Sequence, residues 1–474
     1  MMESPLQKAF SPDLFRQQAH SLVDVLADYL EQSQSGSMET VIPYKDPEES
    51  LAFWQEDYEQ GQGNVADFFS KTIQQSNHLH HPRYMGHQVT PPVPISALAG
   101  LLSSMLNNGM AVYEMGLVSN PLERILSELL AKKIGFDAHA SGLLTSGGTL
   151  ANLTALLAAR AAKTDVWEEG NTEKLAVMVS EEAHYCIDRA ARIMGMGSEG
   201  IIKVPTNERL QIRTDLLEQY YQEAINQGLR VIAIIGSACS TSTGSYDDLE
   251  AIAAFAQKHD LWFHADGAHG GAVVFSERYK HLVKGIDQAD SVVIDWHKML
   301  MAPALITAVI FKRNDDAFKT FQQKAQYLWA NQHSKDWFNS GKRTFECTKL
   351  MMSVKVYAIL KAHGEQIFTD NVEYLYDLGK QFATLIKARP NFELALEPES
   401  NIVCFRLKNE AGSLNELNAS IRKRLLEEGK FYIVQTTLGD KLYLRTALMN
   451  PLTTETDLMA LLDEVERLGM VVAS

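Results

Sequence analysis

Beyond about residue 141, short apolar runs alternate with amphipathic helical stretches, and this alternation most limits what the chain can fold into. "LAVMVS", "VIAIIGSA", "LWFHAD", "SVVID" and "ITAVIF" have the length and β-branched content of buried strands, with helical patterns between them. In "DDLEAIAAFAQKHD", Leu249, Ile252, Ala253 and Ala256 share a face, and Asp247 with Glu250 suits a capping box. Strands that alternate with helices need crossover connections, so the expectation is an α/β fold with a mainly parallel sheet covered on both faces. Ligands of such sheets bind at the carboxyl ends of the strands.

The flanks read differently. "SPDLFRQQAHSLVDVLADYLEQ" sets Leu14, Ala19, Leu22, Val25, Leu26 and Leu30 near helical spacing behind a candidate N-cap, Ser11. After about residue 345 one long helix, "KLMMSVKVYAILKAHGEQIF", precedes the strands "NIVCFRL" and "KLYLRTAL", a smaller α+β pattern. The expected division is a helical segment over 1–80, a large domain over 81–345 and a small domain over 346–474. A net charge of -15 disfavours nucleic acid as a partner. Four separated cysteines without a CxxC pair disfavour a zinc knuckle or disulfide framework and fit a reducing cytoplasm. No signal peptide is read at the amino terminus. The longest uncharged stretch, Tyr84 to Tyr113, is broken by proline, asparagine and glycine, so a soluble protein without a membrane span is expected.

Four constellations carry chemistry. In "GLLTSGGTLANLTALLAAR" an apolar run meets Ser146, Gly147, Gly148 and Thr149 at the start of a helix; its open amide groups suit a phosphate, with an ordinary Thr149 cap as the alternative. In "LWFHADGAHGG" a strand ends on Asp266 among small residues, which leaves room for something flat and provides an anion for a protonated ring nitrogen. A turn aspartate, or a metal site with His264 and His269, would explain the same stretch, but no third ligand stands at sensible spacing. In "SVVIDWHKML" Lys298 lies between two apolar runs, where a buried amine loses its proton readily and can attack a carbonyl. His184, in "SEEAHYCIDRAARIMGMG", follows a strand and opens an amphipathic helix.

A phosphate cradle, an acid for a ring nitrogen, an amine for an aldehyde and a flat stacking partner are the fittings that pyridoxal phosphate requires. With "TSGGT..N", "ADGAHGG", "HK" after a strand and "AQYLW" in that order, the sequence resembles the group II pyridoxal-phosphate decarboxylases, the glutamate, cysteine-sulfinate, aromatic amino acid and diaminobutyrate decarboxylases. The likeness runs from "HPRYMGHQVTPP" to "YLRTALMNPLTTETDL". It implies an aspartate-aminotransferase-like large domain of fold type I and a homodimer with shared sites.

By that resemblance Lys298 is the lysine that bonds the cofactor aldehyde, Asp266 the partner of the ring nitrogen, His184 the ring-stacking histidine and Ala268 the small residue opposite. Gly148, Thr149, Ser291 and His297 match positions that hold the phosphate, and Ser240 or Thr241 the hydroxyl that meets the phenolic oxygen. Asp295 stands where relatives often carry asparagine, a second acid beside a phosphate. Tyr327 resembles the tyrosine that delivers the final proton, Arg445 the arginine that binds a substrate carboxylate, and Gln88 and Thr90 substrate-facing residues. Gly109 and Ala111 imply an emptier pocket than that of enzymes acting on glutamate. Gln88 and Arg445 favour an acidic or short polar substrate over an aromatic one. The alternatives are transamination or decarboxylation-dependent oxidative deamination on the same fold, and, less favoured, a non-catalytic binding protein.

Overall fold

The computed structural model describes residues 4–321, 336–409 and 412–473. The chain divides into two compact units. The larger comprises Gln88–Lys380 and Leu396–Ile402; the smaller comprises Met1–His87, Gln381–Ala395 and Val403–Ser474. The amino-terminal segment thus shares a unit with the carboxyl-terminal part, and the stretch after residue 346 stays with the larger unit until Lys380.

The larger unit is built on a sheet of seven strands: β1 (Ser141–Thr145), β2 (Leu175–Ser180), β3 (Ile201–Val204), β4 (Arg230–Ser237), β5 (Trp262–Asp266), β6 (Ser291–Asp295) and β7 (Thr307–Phe311). Their order is β1-β7-β6-β5-β4-β2-β3. Neighbours from β6 to β3 run parallel, whereas β7 is antiparallel to both β6 and β1. The reversal has a simple cause. Residues 296–306, between β6 and β7, are fewer than the dozen or more that a parallel crossover needs, so the chain turns straight back. Every residue of β1, β2, β5, β6 and β7 is buried, which is why these strands appear in the sequence as unbroken apolar runs.

The helices that matter below are α1 (Pro94–Leu106), α2 (Gly148–Lys163), α3 (Cys186–Ile193), α4 (Leu249–Lys258) and α5 (Met352–His363) of this unit, and α6 (Gln366–Lys387), whose last turns belong to the smaller unit. On α2, Ala151, Ala155, Leu156, Ala158 and Ala159 are buried in one cluster with Leu143, Val177, Val179, Ile235, Val293 and Val309. Small alanines let the helix lie close to the sheet, and each fully buried Val, Leu or Ile in that cluster contributes about 1.5–3 kcal/mol. Shortening Leu143 to alanine would cost about 2–5 kcal/mol through the cavity left behind. The cap of α4 is Asp248, whose side chain accepts from the Ala251 N–H, and not Asp247. Asp247 is buried and accepts from Ile212 N and Ser237 N at 2.7 and 2.8 Å. The long helix expected from residue 349 is two: α5 ends at Gly364, at φ 72°, and α6 begins afresh.

The smaller unit holds a four-stranded sheet, β8 (Phe392–Leu394), β9 (Ile402–Leu407), β10 (Val434–Leu438) and β11 (Lys441–Ala447), in the order β10-β11-β9-β8. Helix Pro12–Gln34 is capped by Ser11, as its sequence suggests. Val41, Tyr84, Tyr432 and Val434 form a small apolar cluster there, with the Tyr84 and Tyr432 rings 5.0 Å apart.

Candidate active site

A cavity of about 450 Å³ opens at the carboxyl ends of the strands in the larger unit. It is lined by Ser146 to Leu150 after β1, His184 after β2, Ser237, Cys239, Ser240 and Thr241 at and beyond the end of β4, Asp266 and Ala268 from β5, and Asp295, His297 and Lys298 from β6. Stretches widely separated in sequence meet here because parallel neighbours point the same ends in the same direction.

The segment after β6 is fastened from below. Trp296, Met299 and Leu300 are fully buried, and the Trp296 ring packs edge-on against Phe275 and Phe368. Trp296 N donates to Ile306 O at 2.9 Å, and Met301 N to Lys298 O at 3.0 Å. The apolar neighbours of Lys298 therefore anchor the turn, while the lysine side chain keeps 19% exposure at the cavity wall. Its Nζ lies 3.0 Å from Asp295 Oδ2, on a carboxylate only 2% exposed that also accepts from the Thr307 hydroxyl and stands 3.7 Å from His297 Nε2. The acid at position 295 is thus the counter-ion of the lysine.

The amino end of α2 is open. Gly147, at φ 131°, precedes the helix with no side-chain cap, so the Thr149 cap is not what forms. A Cβ on Gly148 would sit in ordinary contact with the Asp295 carboxylate oxygens, at 3.4 and 3.5 Å, and with the Ala268 methyl, at 3.6 Å. Uncapped amides facing a cavity favour an anion.

Behind the cradle runs a chain of hydrogen bonds. Trp262 Nε1 donates to Ser291 Oγ at 2.8 Å, Ser291 Oγ lies 2.8 Å from His264 Nδ1, and His264 Nε2 lies 2.7 Å from Asn152 Oδ1. Asn152 Nδ2 in turn donates to Gly148 O at 3.0 Å. These partners suit a neutral His264 that donates from Nε2, and full burial lowers its pKa to about 4. This chain corrects one expectation: Ser291 does not line the cavity. It opens β6 at the amino end, four residues from Asp295, and its hydroxyl is committed to Trp262 and His264.

Asp266, 8% exposed, closes β5 and accepts the Ala268 N–H at 3.2 Å. Burial lowers the His184 pKa and Lys298 lowers it further, while Asp266 and Asp295 oppose them; the imidazole is therefore neutral at pH 7. Ser240 Oγ is 3.0 Å from Thr243 Oγ1, and Cys239 beside it has a thiol pushed up to about 12 by burial.

Of the expected site residues, Gly148, Thr149, His184, Ser240, Asp266, Ala268, His297 and Lys298 share this cavity. Gln88 and Thr90 do not line it; Thr90 is buried with its hydroxyl on Pro91 O at 3.3 Å. Arg445 belongs to the smaller unit, on β11 opposite Val434, and is 5% exposed. Tyr327 lies outside the described residues. Gly109 does not line this cavity but lines the neighbouring one, and a Cβ there would meet Thr348 Oγ1 at 2.6 Å and Met115 Cε at 2.9 Å. Ala111 is buried and lines neither this cavity nor its neighbour. Asn152 is the lining residue with the clearest role that the sequence left unassigned, although it closes the "TSGGT..N" motif. His269 Nε2 bonds Asn401 Oδ1 at 2.8 Å, and among the described residues no group of three metal-ligating side chains is found.

An open helix end for a phosphate, an amine for an aldehyde, a buried carboxylate for a ring nitrogen and a neutral imidazole to lie against a ring together fit pyridoxal phosphate. Comparison with known proteins agrees. The pyridoxal-dependent decarboxylase conserved domain matches residues 47–408. An aspartate 1-decarboxylase of Aliivibrio fischeri is 31% identical over 83% of this chain and 80% of its own. An L-2,4-diaminobutyrate decarboxylase of Acinetobacter baumannii is 27% identical over 86% and 84%. The crystal structure of mouse CSAD in apo form superposes with a TM-score of 0.90 at 25% identity, covering 97% of this chain and 99% of that one. A domain match that spans most of the sequence, joined to that site, leads to one assignment: the chain belongs to the pyridoxal-dependent decarboxylase family.

Proposed function

We propose that this protein is a carboxy-lyase that uses pyridoxal phosphate to remove the α-carboxylate of an L-amino acid with an acidic or short polar side chain, the set that includes aspartate, glutamate, cysteine sulfinate and 2,4-diaminobutyrate. The observation that carries the reading is the convergence of Lys298 Nζ, the Asp266 carboxylate and the open end of α2 on one cavity. When bound, the cofactor supplies a protonated ring that draws off the electron pair left behind as carbon dioxide departs. The protein's own groups do the rest. Gly148, Thr149 and His297 hold the phosphate, and the Lys298 amine holds the aldehyde carbon until a substrate amine takes its place. Asp266, nearly buried at the end of β5, would accept the hydrogen bond of the ring nitrogen and so favour its protonated form. His184, neutral, lies against the ring without competing for that proton, with Ala268 opposite, and the hydroxyl of Ser240 or Thr241 meets the phenolic oxygen. By family likeness Arg445 takes the substrate carboxylate, Gln88 and Thr90 face the substrate, and Tyr327 returns a proton to carbon.

Two further readings belong with this one. A second copy of the chain covers α1, where Leu98, Leu101, Leu102, Met105 and Leu106 are exposed together, and the enzyme is a homodimer. Its compartment is the cytoplasm, which suits four free cysteines. Light scattering reads the mass directly; a monomer at micromolar concentration would end the dimer proposal.

The activity is tested by incubating the holoenzyme with individual amino acids and measuring carbon dioxide and amine. Release of both in equal amounts is expected; aldehyde in place of amine would indicate oxidative deamination, and no release would refute the assignment. Borohydride reduction followed by mass spectrometry should leave the cofactor mass on Lys298, and Lys298→Ala should abolish the label.

A further inference from the structure

Beside the first cavity lies a second, of about 750 Å³, and the two share Ser146 and Leu305 as a common wall. Met115, Leu305, Leu350 and Met352 give it an apolar lining; Asn107, Asn108 and Thr348 add neutral polar groups. Two of its lining residues are ionisable, Glu346 and Lys349, and they are not equivalent.

Lys349 is already neutralised. Its Nζ donates to both oxygens of Glu123 at 2.7 Å and to Leu144 O at 2.7 Å, with both side chains nearly inaccessible. An ammonium whose three protons are all engaged has none left for a ligand. Glu346 is in the opposite condition. Its Oε1 accepts from the neutral Ser146 hydroxyl at 3.2 Å, and among the described residues it forms no ion pair. The same Ser146 lines the first cavity, so this bond fixes a carboxylate at the boundary between the two spaces. The second cavity therefore presents a half-exposed carboxylate that makes no ion pair among the described residues, beside an apolar lining.

Building on the proposed decarboxylase activity, we propose that the second cavity receives the substrate's side chain and that Glu346 selects side chains ending in a primary ammonium. The substrate class is then an α,ω-diamino acid. The methylene groups lie on Met115, Leu305 and Met352, and the distal ammonium replaces the water that hydrates Glu346. A substrate with an acidic side chain would bring like charge to the same point, which disfavours it relative to an ammonium. Sequence identity does not decide between the classes, because relatives of 27% and 31% identity carry the names of a diaminobutyrate and an aspartate decarboxylase.

The test is a kinetic panel on the holoenzyme: L-2,4-diaminobutyrate, L-ornithine and L-lysine against L-aspartate, L-glutamate and L-cysteine sulfinate. It is repeated with Glu346→Gln, which keeps an acceptor for Ser146. At least one diamino acid should exceed every acidic one in kcat/KM by roughly tenfold or more, and Glu346→Gln should erase that margin mainly through KM, by roughly ten- to a hundredfold. The change in cofactor absorbance on titration with each amino acid reads binding without turnover and should follow the same order. Borohydride labelling of Lys298 in the variant should match the wild type, separating loss of the side-chain contact from damage to the cofactor site. Preference for aspartate, glutamate or cysteine sulfinate, or a margin untouched by Glu346→Gln, would overturn the inference and leave the decarboxylase reading standing. No carbon dioxide from any of the six would remove both.

Discussion

Exchanging Asp295 for asparagine should move two measurable quantities in opposite directions. The Asp295 carboxylate faces Lys298 Nζ at 3.0 Å, with the acid 2% and the lysine 19% exposed. At an effective dielectric constant of about 20, 332/(ε·r) gives about 5.5 kcal/mol of gross attraction, much of which offsets the cost of taking both charges out of water. Asparagine keeps an acceptor for Thr307, so the net loss should be about 1–3 kcal/mol and the melting temperature of a chain this long should fall by roughly 1–3 °C. Cofactor binding should change the other way. The carboxylate reaches to 3.4 Å from where a Gly148 Cβ would sit, so a phosphate held on the α2 amides would feel that like charge at a separation of roughly 6 Å. Removing a like charge at that distance, for dielectric constants between about 20 and 80, is worth roughly 0.7–2.8 kcal/mol, centred near a tenfold tighter Kd. Calorimetry of the apoprotein and absorbance titration with pyridoxal phosphate give the two numbers. A variant that melts no lower and binds the cofactor no tighter would refute the assignment of Asp295 as counter-ion to the lysine and neighbour to the phosphate.

Three other substitutions bear on the same architecture. Ser291→Ala should leave the cofactor Kd within about twofold but cost about 1–3 kcal/mol of stability, because Trp262 and His264 each lose a buried partner; a large loss of affinity would return Ser291 to the phosphate site. Burial holds His264 at about 4 in the folded chain against 6.5 when unfolded, so its contribution is complete above pH 6.5 and is lost as pH falls toward 4. At 1.36 kcal/mol per pH unit that window is worth about 3 kcal/mol, and the penalty of His264→Gln measured by calorimetry should shrink by about that amount between pH 7 and pH 4; a constant penalty would contradict the neutral imidazole. Lys349→Met should cost about 3–5 kcal/mol by stranding Glu123, and adding Glu123→Leu should recover most of it, whereas additive losses would mean that the pair is not coupled.

The strands of the main sheet were legible because burial on both faces writes itself as continuous Val, Ile and Ala, and β2 and β6 coincide with the runs read from sequence. What escaped the reading depends on partners far along the chain. The reversal of β7 follows from the length of the link before it, not from the content of "ITAVIF". Ser291 lies close to Lys298 in sequence, but four steps of about 3.3 Å along an extended strand carry it to the opposite edge of the sheet. Asp247 and Asp248 are adjacent acids; the cap fell to the second because the first is needed by Ile212 and Ser237. Gly109 suggested space by its own size, and it does border the second cavity, but a side chain there would meet Thr348 from a segment more than two hundred residues away. Lys298, Asp266 and His184 were readable because each follows a recognisable strand, whereas Asn152 acquires its role only through His264.

The position of β1 bears on how the chain is made. It hydrogen-bonds to β7 alone, and the Thr145–Thr307 contact spans 162 residues. At roughly 5–20 residues per second a ribosome leaves that apolar strand without its mate for roughly 8–30 seconds. Through that interval the nascent chain carries a sticky, incomplete sheet whose reaction centre has not been synthesised, a demand for chaperone protection that shorter-range pairing would not impose.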